Sequence, residues 1–223
     1  MKKKSDKEKI HKRLVQEREN DEQNIQTKLR KESMINLMGD TKNKTILDLG
    51  GGTIKVSKNL NCKKIYILDI DDTNKGVDII CDLNKEKIPL PDNSIDIIIA
   101  GELIEHLNSP LSFLNECKRI LKKKGIIILS TPNLNSLKNR FKVLFGQLPE
   151  YCCISREDGK DNFMNHIKDF NYKHLRQIIE SSGLKIEEAT TNGIIVHSHL
   201  IFPRNLTPTT LGEILIIKII KED

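Results

Sequence analysis

The run Thr45-Ile-Leu-Asp-Leu-Gly-Gly-Gly-Thr53 constrains this chain more than any other stretch. A short apolar strand passes straight into a glycine turn, with Asp48 close to the strand's end. Glycines carry no Cβ, so backbone there can approach a ligand closely. In a parallel sheet, ligands lie beyond the carboxyl ends of the strands, near the point where strand order reverses. A glycine turn alone also fits an ordinary tight turn or a dinucleotide site, so the surrounding chain must decide.

From Lys44 onward, short apolar runs alternate with helical patterns, which predicts βαβ units and a mainly parallel sheet in an α/β fold. Strands are expected at 45–49, 64–69, 77–81, 95–100, 125–130, 184–190 and 212–220, and helices at 53–58, 102–107, 111–123, 134–145 and 172–182. The last two strands, Leu184 to Thr190 and Glu213 to Ile220, read as an antiparallel pair closing one sheet edge. With 37% hydrophobic but only 4% aromatic residues, the core has to be built from Ile and Leu. The 131–168 stretch is long and loses its regular pattern after Phe145, as lids and substrate loops do.

A length of 223 residues suits one domain. We expect a basic helical extension over 1–40 and the α/β domain over 41–223, with Lys28 to Met38 the firmer part of the extension. Residues 1–44 hold 13 Lys/Arg against 8 Asp/Glu, most of the net charge of +6. Such an arm can bind phosphate-rich partners, nucleic acid included, or serve as a solvated helix. No apolar segment follows the charged N-terminus, and no run approaches the roughly 20 residues of a membrane span, so a cytoplasmic protein is expected. Of the five cysteines, Cys81 and Cys117 fall in apolar patterns as small core residues, while Cys152 and Cys153 adjoin in an irregular segment.

Asp69 ends the second strand, 21 residues after Asp48, where a carboxylate can accept hydrogen bonds from both ribose hydroxyls of a nucleoside. Asp71 and Asp72 follow it, and Asp82 ends the third strand. The order Asp48-x-Gly50-x-Gly52, with Ile54 in place of a further glycine, resembles the class I S-adenosylmethionine (SAM) methyltransferases. Ile88-Pro-Leu-Pro-Asp-Asn-Ser-Ile-Asp96, the Phe113 to Gly125 segment and Leu129-Ser-Thr-Pro-Asn133 carry the same likeness over about residues 43–221. The resemblance implies a Rossmann-like, seven-stranded, mainly parallel sheet with a terminal antiparallel hairpin. It further implies that Asp48, Gly50, Gly52, Asp69 and Asp82 bind SAM, with Asp82 on the adenine amino group and Glu102 lining the methionine pocket.

Glu102, Glu105 and His106 stand at i, i+3 and i+4, one face of a helical turn. Two carboxylates and an imidazole there can bind a divalent metal or act as acid and base. His166 comes just before the helix at 172–182 and can fold back as a fourth ligand. This Glu-x-x-Glu-His pattern with a distant His resembles two metal-dependent groups, the small-RNA 3′-terminal 2′-O-methyltransferases and the polyprenyl O-methyltransferases. Three readings stay open at this point. In one, Glu102, Glu105, His106 and His166 hold Mg, Mn or Zn; in another, Glu105 and His106 act without metal in substrate binding or as catalytic groups; in the third, the cluster is purely structural. The resemblance implies methylation of a hydroxyl on a small molecule, a sugar or lipid headgroup, or an RNA end. The competing class is a non-catalytic protein on the same fold that docks a partner through its basic arm.

Overall fold

The structure is a computed structural model and describes residues 24–50, 56–57, 59–71, 76–152, 166–196 and 199–222. Its strands are β1 (Thr45–Leu49), β2 (Lys64–Asp69), β3 (Ile79–Ile80), β4 (Ile95–Gly101), β5 (Leu121–Pro132), β6 (Lys185–Thr191), β7 (Ile194–Val196), β8 (His199–Phe202) and β9 (Ile214–Ile220). The helices are α1 (Ile25–Met38), α2 (Pro110–Ile120), α3 (Leu137–Leu144) and α4 (Tyr172–Ser181). Seven strands form one sheet in the order β3-β2-β1-β4-β5-β9-β6. The pairs from β3 through β5 are parallel, and β9 runs antiparallel between β5 and β6. This is the α/β sheet with a terminal antiparallel pair that the apolar runs predicted. Strand order reverses between β1 and β4, so Gly50 and Glu102 flank the crevice where ligands bind in such sheets.

Both faces of the central strands are covered, and alternate residues sort to opposite sides. Leu47, Leu49, Ile98, Ile127, Leu129 and Ile217 pack with α2 and α4 through Phe113, Leu114, Cys117, Leu175 and Ile179. On the other side Ile46, Ile97, Ile99, Ile128 and Ile216 meet Met34, Leu37 and Met38 of α1. Cys81 and Cys117 are buried, as their apolar neighbourhoods suggested. No helix among the described residues is long and apolar enough to cross a membrane.

The larger boundary differences from expectation have local reasons. Helix 111–123 stops at Ile120, because the Ser94 N–H bonds to the Ile120 carbonyl and Leu121 pairs with Ile95. The register then jumps from Ile95↔Leu121 to Ile97↔Ile126, so Lys122 to Gly125 bulge out, with Lys124 left-handed. Strand 77–81 shrinks to two residues, since the Asp78 carboxylate accepts the Ile67 N–H at 2.8 Å. Helix 134–145 starts only at Leu137, capped by Ser136, while Asn133 is spent on the carbonyls of Thr210 and Gly212 at 3.2 and 2.8 Å. The β7–β8 ribbon was not foreseen, and most of the expected helix 53–58 lies outside the described residues, as do residues 1–23 of the basic arm.

Candidate active site

The chain leaves β1 through Gly50, whose φ of +68° is a left-handed conformation that L side chains rarely adopt. A Cβ there would come within 3.4 Å of Leu103. Asp48 is buried, and its Oδ2 accepts from the Ser57 N–H at 3.2 Å and the Ser57 hydroxyl at 2.6 Å. Asp48 therefore ties down the far side of the glycine turn. Gly52 lies outside the described residues. Asp69, partly buried at the end of β2, accepts the Asp71 N–H at 3.0 Å. Asp82, just past β3, accepts from Lys85 Nζ at 2.7 Å and the Asn84 N–H at 3.0 Å, and these bonds hold its carboxyl below the usual range.

The exit from β4 departs most from the sequence reading. Glu102 takes φ +52°, and its N–H bonds to the Ser130 carbonyl at 3.0 Å. A left-handed residue there prevents a helix over 102–107, and only a single 3-10 turn, Ile104–His106, remains. Glu102 consequently leaves the face carrying Glu105 and His106. Its Oε1 accepts from the Ser130 hydroxyl at 3.0 Å and stands 3.9 Å from Arg30 Nη1 of α1. Arg30, only 6% exposed, also donates to the Ser130 hydroxyl at 3.3 Å.

Glu105, His106 and His166 do converge, with ligand atoms all within 4.8 Å of one another. Glu105 is 1% exposed. Its Oε2 accepts the Thr131 hydroxyl at 2.9 Å, and its Oε1 has no hydrogen-bond partner among the described residues. Burial, reinforced by the charge of Glu102, pushes its carboxyl well above the usual range. The Glu105 carbonyl accepts the N–H groups of Ile167 and Lys168 at 3.0 and 3.1 Å, pulling the distant His166 segment onto the β4 exit. His166 Nδ1 lies 2.8 Å from the Tyr151 carbonyl, which can only accept. Nδ1 therefore carries a hydrogen, and in the neutral ring the Nε2 lone pair lies 4.0 Å from Glu105 Oε1. His106 packs edge-on to the His166 ring at 4.9 Å between centroids. A cavity of about 10 Å³, lined by Glu105, Thr131, Tyr151 and His166 among others, leaves space beside them for one water-sized particle.

Residues 47–129 match the protein family described as "Methyltransferase domain". The chain has the fold of class I SAM-dependent methyltransferases, and residues 47–129 carry that family's likeness. A "probable S-adenosylmethionine-dependent methyltransferase" of Mycobacterium tuberculosis is 39% identical over 102 residues, covering 45% of this chain and 30% of that one. A ubiquinone biosynthesis O-methyltransferase of Haemophilus ducreyi is 36% identical over 73 residues, 33% of this chain and 30% of that one. The chain thus spans about a third of the length of the curated relatives it matches. The crystal structure of a SAM-dependent methyltransferase from Thermotoga maritima superposes with a TM-score of 0.66 at 19% identity, over 94% of this chain and 97% of that one.

At this crevice α1 supplies a buried arginine that motif reading passed over. Arg30, Ser33, Met34 and Leu37 fall at i, i+3, i+4 and i+7, and all four are buried. That spacing was visible in the sequence, with an arginine on the stripe meant for the sheet. Gly101 makes room for it, since a Cβ there would lie 3.0 Å from Arg30 Nη1. Beyond the acid–imidazole cluster, α3 leaves Phe141 and Leu144 exposed, with Phe145 just after it. With Ile194 and the stems of Lys138 and Lys142, Phe141 and Phe145 line an open groove of about 310 Å³. Cys152 is partly buried, and Cys153 and Phe163 lie outside the described residues.

Proposed function

We propose that the methyltransferase moves the methyl group of SAM to a hydroxyl oxygen brought against Glu105, His106 and His166. The acceptor oxygen forms a C–O bond to the methyl carbon while the C–S bond breaks, its electron pair staying on sulfur, and the hydroxyl proton leaves to an imidazole. With no ion bound, His166 suits that last role, since its Nδ1 is committed to the Tyr151 carbonyl and its Nε2 is turned toward the cluster; with an ion on that lone pair, the proton leaves to water instead. Asp69 would receive the ribose hydroxyls of SAM, and the buried Arg30 guanidinium is suited to its methionine carboxylate. Gly50, Asp48 and Asp82 would shape the rest of the cofactor pocket.

The observation that carries this reading is Glu105 Oε1, a buried carboxylate oxygen with no hydrogen-bond partner among the described residues, facing an imidazole lone pair at 4.0 Å. An orphaned oxygen at that spacing from a nitrogen ligand suits a cation between them, and carboxylate with imidazole is a donor set for Mg, Mn or Zn. Glu105, His106 and His166 would hold such an ion, while Glu102, engaged with Ser130 and Arg30, would stay outside its ligand set. When bound, the ion would supply Lewis acidity that lowers the pKa of the acceptor hydroxyl. The acceptors that fit are small molecules, sugar or lipid headgroups and RNA ends bearing such a hydroxyl.

Isothermal titration with SAM, repeated with Mg²⁺, Mn²⁺ or Zn²⁺ and with His106→Ala, tests the proposal. Micromolar SAM binding with metal binding that the substitution abolishes supports it. SAM binding with no metal binding leaves Glu105 and the imidazoles as metal-free acid and base. No SAM binding overturns the reading.

A further inference from the structure

Between α3 and the acid–imidazole cluster lies a short strap, residues 149–151, anchored at several points. Asn139, a buried residue of α3, accepts the Glu150 N–H on its Oδ1 at 2.8 Å, and its Nδ2 donates toward the carbonyls of Asn133 and Glu150 at 3.4 and 3.5 Å. The Glu150 carboxylate is gripped by Lys138 at 2.7 Å and Lys142 at 3.0 Å, one turn apart on the same helix. The next residue, Tyr151, is left-handed at φ +58°, and its hydroxyl reaches Gln26 of α1 at 3.4 Å. What the strap delivers is the Tyr151 carbonyl, 2.8 Å from His166 Nδ1.

We propose that Asn139 is a positioning residue for His166: by fixing the Glu150–Tyr151 backbone it holds the imidazole in the Nδ1–H form with Nε2 facing Glu105. The inference rests on the reading of Glu105, His106 and His166 as the acceptor-side centre. A ligand imidazole keeps its orientation and basicity through the bond its other nitrogen makes, and that bond here ends on a main-chain oxygen. No side-chain substitution removes that oxygen, so its placement depends on what grips the strap. Asn139 grips its backbone from the buried side, and the two lysines grip its carboxylate from the outer side. The same strap lines the 10 Å³ cavity, so moving it would displace His166 and open the space beside Glu105 together.

The test is made on the full chain with two readouts: the His166 tautomer from imidazole ¹H–¹⁵N correlations, and Mn²⁺ or Zn²⁺ affinity by titration. Wild type should show the Nδ1–H tautomer. Asn139→Ala should mix the tautomers and weaken metal affinity by about 10- to 100-fold, with SAM affinity unchanged, and Asn139→Asp, which keeps the acceptor for the Glu150 N–H but not the donor to the two carbonyls, should fall between wild type and Asn139→Ala in both readouts. If Asn139→Ala does not fold, the surface pair Lys138→Met/Lys142→Met loosens the same strap and should shift the tautomer in the same direction. An unchanged tautomer in whichever variants fold overturns the proposal. If wild type binds no metal, the metal part of the functional reading falls, and the tautomer measurement still decides the role of Asn139.

Discussion

Glu102 combines an unfavourable backbone with a side chain held at the site, and the two can be separated by replacing it with alanine and with glycine. At φ +52° a residue with a Cβ costs about 1–2 kcal/mol relative to glycine. Glycine's greater freedom in the unfolded chain returns roughly 0.5–1 kcal/mol of that advantage. Glu102→Gly should therefore be more stable than Glu102→Ala by about 0.5–1 kcal/mol. Both variants lose the bond from the Ser130 hydroxyl and leave the Arg30 guanidinium without its carboxylate, so Glu102→Ala should fall below wild type by about 2 kcal/mol and Glu102→Gly by about 1–1.5 kcal/mol. With a urea dependence near 3 kcal/mol per molar for a domain of this size, the Gly/Ala difference is a midpoint shift of about 0.2–0.3 M. Equilibrium urea unfolding followed by far-UV circular dichroism resolves that, and SAM titration of the same samples should show both variants weakened alike. Equal midpoints, or alanine the more stable, would mean that the left-handed turn costs no more than glycine's added freedom in the unfolded chain. The idea that the fold tolerates strain to place this carboxylate would then be wrong.

Thr131→Val removes the hydroxyl that satisfies Glu105 Oε2 while preserving shape; unfolding free energy should fall by about 1–3 kcal/mol, and a loss below measurement error would deny the buried bond its role. Gly50→Ala should lose about 1 kcal/mol in urea unfolding, from the positive φ alone, and weaken SAM binding in calorimetric titration, since the added methyl sits at the mouth of the crevice. Hydrogen bonds from Arg119 hold the Glu116 carboxyl below its ordinary 4.5, so the unfolded chain takes up this proton first as pH falls. That contribution is complete above 4.5 and is lost as pH drops through the folded value; urea midpoints across the acid range should show it, and Arg119→Met should flatten it.

The proposed cofactor side and the proposed acceptor side of this site were unequally legible, and the reason is where their determinants lie along the chain. Gly50, Asp48 and Asp69 sit at the ends of β1 and β2, strands whose apolar runs announce themselves, and their placement follows from strand plus turn. The spacing of Glu102, Glu105 and His106 suggested a helical face, and that was a wrong use of local periodicity. One left-handed residue, stabilised by Ser130 from the neighbouring strand, breaks the turn and sends Glu102 toward α1. The pairing of Glu105 with His166 survived because it rests on main-chain bonds from Ile167 and Lys168 to the Glu105 carbonyl, which no spacing rule encodes. Arg30 was hidden for a similar reason, being legible as a buried position on α1 but not as a partner of residues a hundred positions away.

That division bears on how the site should respond to perturbation. The β4 side of the proposed site, which would take the acceptor and the methionine end of SAM, draws Arg30 from α1, Glu102 to His106 from the β4 exit, Ser130 and Thr131 from β5, Tyr151 from the strap and His166 from the segment before α4. Each is held by contacts to another of these elements rather than by its own secondary structure, and the parallel bridge of Asn133 with Phe170 is part of the same lacing. Local openings that cost far less than global unfolding would then scatter the groups on the β4 side while leaving the β1–β2 edge in place. SAM reaches both halves in the proposed pose, through Asp69 on one side and Arg30 on the other. Amide exchange should accordingly slow on SAM binding most in α1 and at the β4 exit, and least in the interior of β1. Protection confined to the β1 and β2 ends would place the cofactor without Arg30 and detach α1 from the site.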